Sequence, residues 1–201
     1  MNETERAEFH PQFESALSFA TRLHARQVRK ETDIPYISHL IAVAGLVLEN
    51  GGDRDQAIAA LLHDAIEDCP KHYPGGVTGL RANIKAEFGD TVLSIVEGCT
   101  DAETIPKPPY RERKERYIAH LEHVAPEVLL VSCADKLHNA RAIVADLRVM
   151  GESLFARFNG GREGTLWYYE TLAQVFSRRG PKSLAEELRR TVDSMQALAG
   201  A

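Results

Sequence analysis

The stretch LLHDAIEDCP at residues 61–70 sets a histidine and three carboxylates into six positions directly behind two leucines. Side chains of these types at this density suit two kinds of chemistry: ligation of a divalent ion, and proton transfer to or from water. Read as a helix, His63 and Glu67 are four apart, Asp64 and Glu67 three apart, and Asp64 and Asp68 four apart. One flank then carries all four groups while Ala59, Leu62 and Ile66 pack elsewhere. Crowded carboxylates repel, and their burial is costly unless a cation or donors compensate them. On these residues alone two readings stay open: a metal centre, or a solvated helix end whose acids face water.

Two further segments bear on the choice. PYISHL sets His39 at the start of an apolar helix, where a lone histidine is ordinarily a core or capping group. CADKLHNAR sets Asp135 behind the apolar run 128–134, where pairing with Lys136 or Arg141 would satisfy it. Together His39, His63, Asp64 and Asp135 offer two imidazoles and two carboxylates, a set suited to one borderline divalent ion. Such a mixed set holds an octahedral ion with water in its open positions. Manganese or iron therefore fits better than a closed structural zinc, although zinc stays among the candidates.

The remaining histidines carry less. His138, one turn after Asp135, is either an outer partner of the set or a core residue. His120 and His123 share a helix face that no acid or cysteine completes, and His10, His24 and His72 have no partner in the pattern. Ser132 and Cys133 lie near Asp135, but with the histidines taken as ligands a nucleophilic hydrolase is rejected.

The elements that must position these groups are helical. Residues 9–27 repeat apolar side chains at three- and four-residue steps. Pro35 breaks the pattern, Ser38 is placed to cap the next helix, and Gly51 and Gly52 end it. Asp53 is placed to cap a third helix running through Asp68. CPKHYPGG is a loop by composition; Thr78 is placed to cap a helix through Phe88, and Gly89 interrupts before DTVLSIVEGC. A proline-rich loop, TDAETIPKPP, precedes helices over 110–124 and 126–149, the second central because VLLVSCA is almost wholly apolar. A glycine-rich connection leads to two closing helices. The expectation is an all-α bundle of roughly eight to ten helices at ordinary helix and loop lengths.

The chain has 201 residues, 44% of them apolar and 26% charged, with a net charge of −5. That is an ordinary globular composition, and it argues against a DNA or RNA partner, which needs clustered Lys and Arg. The one basic cluster, YRERKERY at 110–117, contains two glutamates and reads as a solvated helix face. Three cysteines form no CxxC pair, no apolar run approaches membrane-spanning length, and the polar start lacks a signal core, so a reducing cytoplasm is expected. Nothing bears on oligomeric state.

The order His39, His63-Asp64, Asp135 resembles the H…HD…D pattern of HD-domain metal-dependent phosphohydrolases. Three wider segments, RK…PY..H, ALLHDAIED and ADKLHNAR, resemble the hydrolase domain of RelA/SpoT-type alarmone synthetase/hydrolases and the stand-alone small alarmone hydrolases. The likeness spans about residues 20–148, with looser agreement through WYYETL. The loop RKETDIPY is one residue longer than the family's RKSGxPY, and Leu40 follows His39 where the family usually has proline. The resemblance implies a single HD-type domain over 1–201, its C-terminal helices at about 164–199. It makes His39, His63, Asp64 and Asp135 the metal ligands and Glu67 and Asp68 the catalytic acids. It also places Arg29, Lys30, Lys136 and Asn139 along the nucleotide site. Lys114 could add charge neutralisation, and Tyr168 is either a core aromatic or a wall that stacks on a base.

The reaction implied is removal of the 3′-pyrophosphate of (p)ppGpp, leaving GDP or GTP. A divalent ion would lower the pKa of bound water, and the acid pair would orient that water and take its proton. Two alternatives stand beside it: an HD-fold phosphatase acting on NADPH or a nucleoside monophosphate, and a catalytically idle nucleotide-binding module. A complete acid pair argues against the idle module, which has no use for one.

Overall fold

A computed structural model describes residues 3–101 and 108–200, with side chains from residue 9 onward. The chain divides into two compact units, residues 1–103 and 104–201. The fold is all-α: among the described residues every regular element is helical, and extended pairing is limited to one bridge between Val28 and Pro35. No helix among them is long and apolar enough to cross a membrane.

The first unit runs α1 (Glu3–Leu23), α2 (Ile37–Glu49), α3 (Arg54–Leu62), α4 (Ala65–Asp68) and α5 (Gly76–Cys99), with a 3-10 turn at Pro70–His72. α3 is the hub. It packs against α1, α2 and α5, and each residue from Ala57 to Leu62 is at most 1% exposed. Alanines at 57, 59 and 60 let those neighbours come close, since side-chain size sets the distance between packed helices. Asp53 starts α3 as expected: its carboxylate accepts from Gln56 N at 2.9 Å, and the Gln56 side chain accepts from Asp53 N at 2.9 Å. α2 closes over Gly51 at φ +82, with Gly52 N donating to Val47 O at 2.9 Å. Gly89 does interrupt α5, at φ +93 and ψ 172, a backbone region open essentially to glycine alone.

Three expectations are corrected. Ser38 is not a cap; α2 starts at Ile37, two residues before the start that a Ser38 cap would set, because the chain turns at the Val28–Pro35 bridge and enters the helix behind Tyr36. Thr78 is likewise inside its helix, since left-handed Gly75 turns the chain into α5 three residues sooner. The third helix does not run unbroken to Asp68. α3 stops at Leu62, Asp64 flattens to φ −95 and ψ −2, and α4 begins at Ala65. Neither His63 nor Asp64 is a helix breaker; their side-chain bonds, given below, hold the break.

The second unit comprises α6 (Tyr110–Leu121), α7 (Pro126–Met150), α8 (Gly161–Arg179) and α9 (Lys182–Ala199). α9 packs against α7 and α8, and α6 against α8. Pro126 opens α7 where its missing N–H costs nothing, and every residue from Val128 to Asp135 is buried. The glycine-rich connection is more ordered than its composition suggests. Gly151–Arg157 forms a 3-10 helix because Leu154 and Phe155 are buried within it.

Candidate metal centre and acid pair

The break between α3 and α4 builds the site in the first unit. His63 follows directly on the last residue of α3, and its Nδ1 donates to Ala60 O at 2.7 Å, the reach of one helical turn. That bond places the ring hydrogen on Nδ1 and leaves Nε2 as the electron-pair donor. Nε2 lies 3.0 Å from Asp64 Oδ2. His39, on the first turn of α2, brings its own Nε2 to 3.7 Å from the same oxygen, and the two imidazole centroids are 5.3 Å apart. Tyr36, just before α2, donates its hydroxyl to Asp64 Oδ2 at 2.5 Å. His39 and His63 are 0% and 2% exposed.

Two imidazole nitrogens facing one carboxylate oxygen make a dense donor set with little water around it. Its chemistry fits a borderline divalent cation, which would compensate the mutual repulsion of the lone pairs.

One turn on, Glu67 is half-buried and Asp68 is exposed. Glu67 Oε2 accepts from Asp101 N at 3.3 Å, and Asp68 Oδ2 accepts from Gln27 Nε2 at 2.7 Å. The loop before α2 is closed by Arg29 N donating to Ile34 O at 2.8 Å and Tyr36 N to Gln27 O at 2.9 Å. It turns through Glu31 at φ +56. Arg29 lies 5.7 Å from the Tyr36 ring centroid, and Lys30 is exposed on the same loop.

In the second unit Asp135 sits on α7 at 5% exposure. Lys136 Nζ is 2.6 Å from its Oδ2 and Asn139 Nδ2 donates to its Oδ1 at 2.5 Å. The nucleotide-lining pair of the sequence reading thus grips the proposed ligand. Burial alone would lower the pKa of the Lys136 ammonium, but the Asp135 carboxylate, followed by Tyr117 and Tyr168, holds it well above the usual lysine value. Lys114, on α6, stands 4.6 Å from the centroid of buried Tyr168 on α8. The basic cluster is tied into its own helix by Arg111–Glu115 and Arg116–Glu112 pairs, as a solvated face would be. His39 and His63 in the first unit and Asp135 in the second are all buried, and each is of a type that ligates a divalent ion.

Sequence reasoning passed over three residues here. His24, taken as partnerless, is 3% exposed and stacks on Tyr36 with centroids 5.2 Å apart. Gln27 and Tyr36 hold the two aspartates. Tyr36 lies inside the motif PY..H, which was the one available signal; His24 and Gln27 carried none.

The HD domain family model matches residues 16–166. Guanosine-3′,5′-bis(diphosphate) 3′-pyrophosphohydrolase MESH1 of Xenopus tropicalis is 39% identical over 129 residues, covering 63% of this chain and 66% of that protein. Its human counterpart is 37% identical over 129 residues, with the same shares of 63% and 66%. The chain thus spans just under two thirds of the length of these curated relatives. A solved structure described as a metazoan ortholog of SpoT that hydrolyses ppGpp superposes with a TM-score of 0.72 at 24% identity, covering 91% of this chain and 94% of that one. That likeness shows the fold.

Proposed function

Since the chain belongs to the HD domain family, we propose that it is a metal-dependent phosphohydrolase that removes the 3′-pyrophosphate of (p)ppGpp, giving GDP or GTP and pyrophosphate. The observation that carries this reading is the meeting of His39 and His63 Nε2 at one oxygen of Asp64, one turn ahead of two acids. The names of the curated relatives supply the substrate.

His39, His63, Asp64 and Asp135 are the proposed ligands of one divalent ion, manganese first, with iron or zinc as alternatives. Bound there, it would supply Lewis-acid polarisation of a phosphoryl oxygen and a source of hydroxide near neutral pH. The other roles fall to side chains of this chain. Asp68 and Glu67 orient the attacking water and take its proton. Arg29 and Lys30 meet the phosphates, and Lys114 adds positive charge. Lys136 and Asn139 hold Asp135 at the edge of the nucleotide site, with Tyr168 as a wall. Three buried cysteines that form no disulfide suit a reducing cytoplasm, which is the proposed location.

The test is a nucleotide panel. Manganese-loaded protein is incubated with ppGpp, NADPH and nucleoside 5′-monophosphates, and products are identified by mass. Pyrophosphate and GDP from ppGpp are expected. Efficient cleavage of a 5′-monophosphate with none of ppGpp would move the reading to the other phosphatases.

A further inference from the structure

His24 has no part in the mechanism above, yet it is tied to one of its acids. Its Nδ1 is 2.6 Å from Gln27 Oε1, and Gln27 Nε2 donates to Asp68 Oδ2 at 2.7 Å. Cys69 Sγ lies beside the ring, 3.6 Å from Nε2 and 3.8 Å from Nδ1. This run of side chains joins the segment just after α1 to α4, between residues 41 positions apart in sequence.

The hydrogens of the run follow by elimination. A carboxylate oxygen accepts, so the amide nitrogen of Gln27 faces Asp68 and its carbonyl oxygen faces His24. A carbonyl oxygen only accepts, so His24 carries its hydrogen on Nδ1. Burial lowers the His24 pKa, and the opposing pull of Gln27 does not cancel it. The ring is therefore neutral, with an electron pair on Nε2. Burial also pushes the Cys69 thiol up to about 12, so it stays protonated, and it donates to Leu23 O at 3.7 Å. From the imidazole onward every donor points one way: His24 to Gln27, Gln27 to Asp68. The run ends on a carboxylate.

We infer that His24 and Gln27 are positioning residues that hold the Asp68 carboxylate in one orientation to receive the proton of the attacking water. Asp68 is exposed, and the bond from Gln27 narrows the rotamers open to its carboxylate. Gln27 can serve as the anchor because its backbone is held where Tyr36 N donates to its main-chain carbonyl at 2.9 Å, and His24 because it is stacked on Tyr36 at an interplanar angle of 20°. This inference rests on the acid-pair role proposed above.

The experiment compares His24→Phe, His24→Asn and Gln27→Met in the full chain, loaded with manganese, with metal content verified. Phenylalanine keeps the stacking but has no donor; asparagine restores a nitrogen donor near the position of Nδ1. With ppGpp, kcat should fall by about tenfold to a hundredfold in His24→Phe and Gln27→Met, the effect of a displaced group, with KM little changed. His24→Asn should recover most of the loss. Nitrogen-15 NMR of the wild type should find His24 neutral with its hydrogen on Nδ1, a preference lost in Gln27→Met. Wild-type kcat in Gln27→Met, equal losses in the two His24 variants, or a hydrogen on Nε2 in the wild type would overturn the inference. A wild-type protein inert toward ppGpp would instead overturn the substrate reading, and the NMR result would then decide the relay.

Discussion

The Nδ1 of His63 is engaged by the Ala60 carbonyl at 2.7 Å, and the hydroxyl of Tyr36 is engaged by Asp64 at 2.5 Å. Bonds of this kind orient ligands before an ion arrives, and their loss ordinarily costs about 10–100-fold in affinity. Tyr36→Phe should therefore weaken manganese binding by about that factor, read by titration of the stripped protein; unchanged affinity would remove Tyr36 from the site. The acid pair makes a different prediction. Glu67→Gln or Asp68→Asn should lower kcat by about 100- to 10,000-fold, the span of general acid–base catalysis, while metal content is kept. Normal turnover in both variants, with metal verified, would rule out their role. The types and spacing of His39, His63, Asp64, Glu67 and Asp68 were legible in the sequence. His24 and Gln27 were not, because a histidine and a glutamine three apart carry no sign of a carboxylate brought up by a later helix.

Among the helices, the three- and four-residue apolar spacing located most elements, and Asp53, Gly51 and Gly89 punctuate the chain where their backbone chemistry says they should. The break between α3 and α4 was not legible. It contains neither glycine nor proline, and the bonds that hold it include one from Tyr36, 28 residues away. Ser38 and Thr78 misled for a related reason: each suits an N-cap by type, but the turn before the helix decided its start. In the second unit, α8 and α9 are clamped by Glu170, which accepts from Arg189 Nη1 at 2.9 Å and Nη2 at 2.8 Å. The Arg189 bonds pull its pKa from 4.5 to about 2. A carboxylate held low stabilises the fold fully above its unfolded value, and the contribution is lost as pH falls from there toward the folded one. Glu170→Gln should remove that acid-labile part, worth less than about 1 kcal/mol for a partly exposed pair. Urea unfolding of both proteins from neutral pH down through this window should show their stabilities converging; parallel loss would contradict the clamp.

For the whole chain, composition set the class and excluded little else: a net charge of −5 and 44% apolar residues fit many globular folds. What narrowed the reading was three short segments spread from Arg29 to Arg141, far apart in sequence and each weak alone. The family match over residues 16–166 extends beyond the span those segments marked. The nucleotide is the part least legible from residues, since phosphate-binding lysines and arginines do not distinguish one base from another. The chemistry itself can be read by following one oxygen atom. Stripped protein with manganese restored should cleave ppGpp in oxygen-18 water to unlabelled GDP and pyrophosphate carrying the label, as attack of water at phosphorus requires, and should release nothing without metal. Cleavage that needs no metal, label in GDP, or intact ppGpp would contradict it.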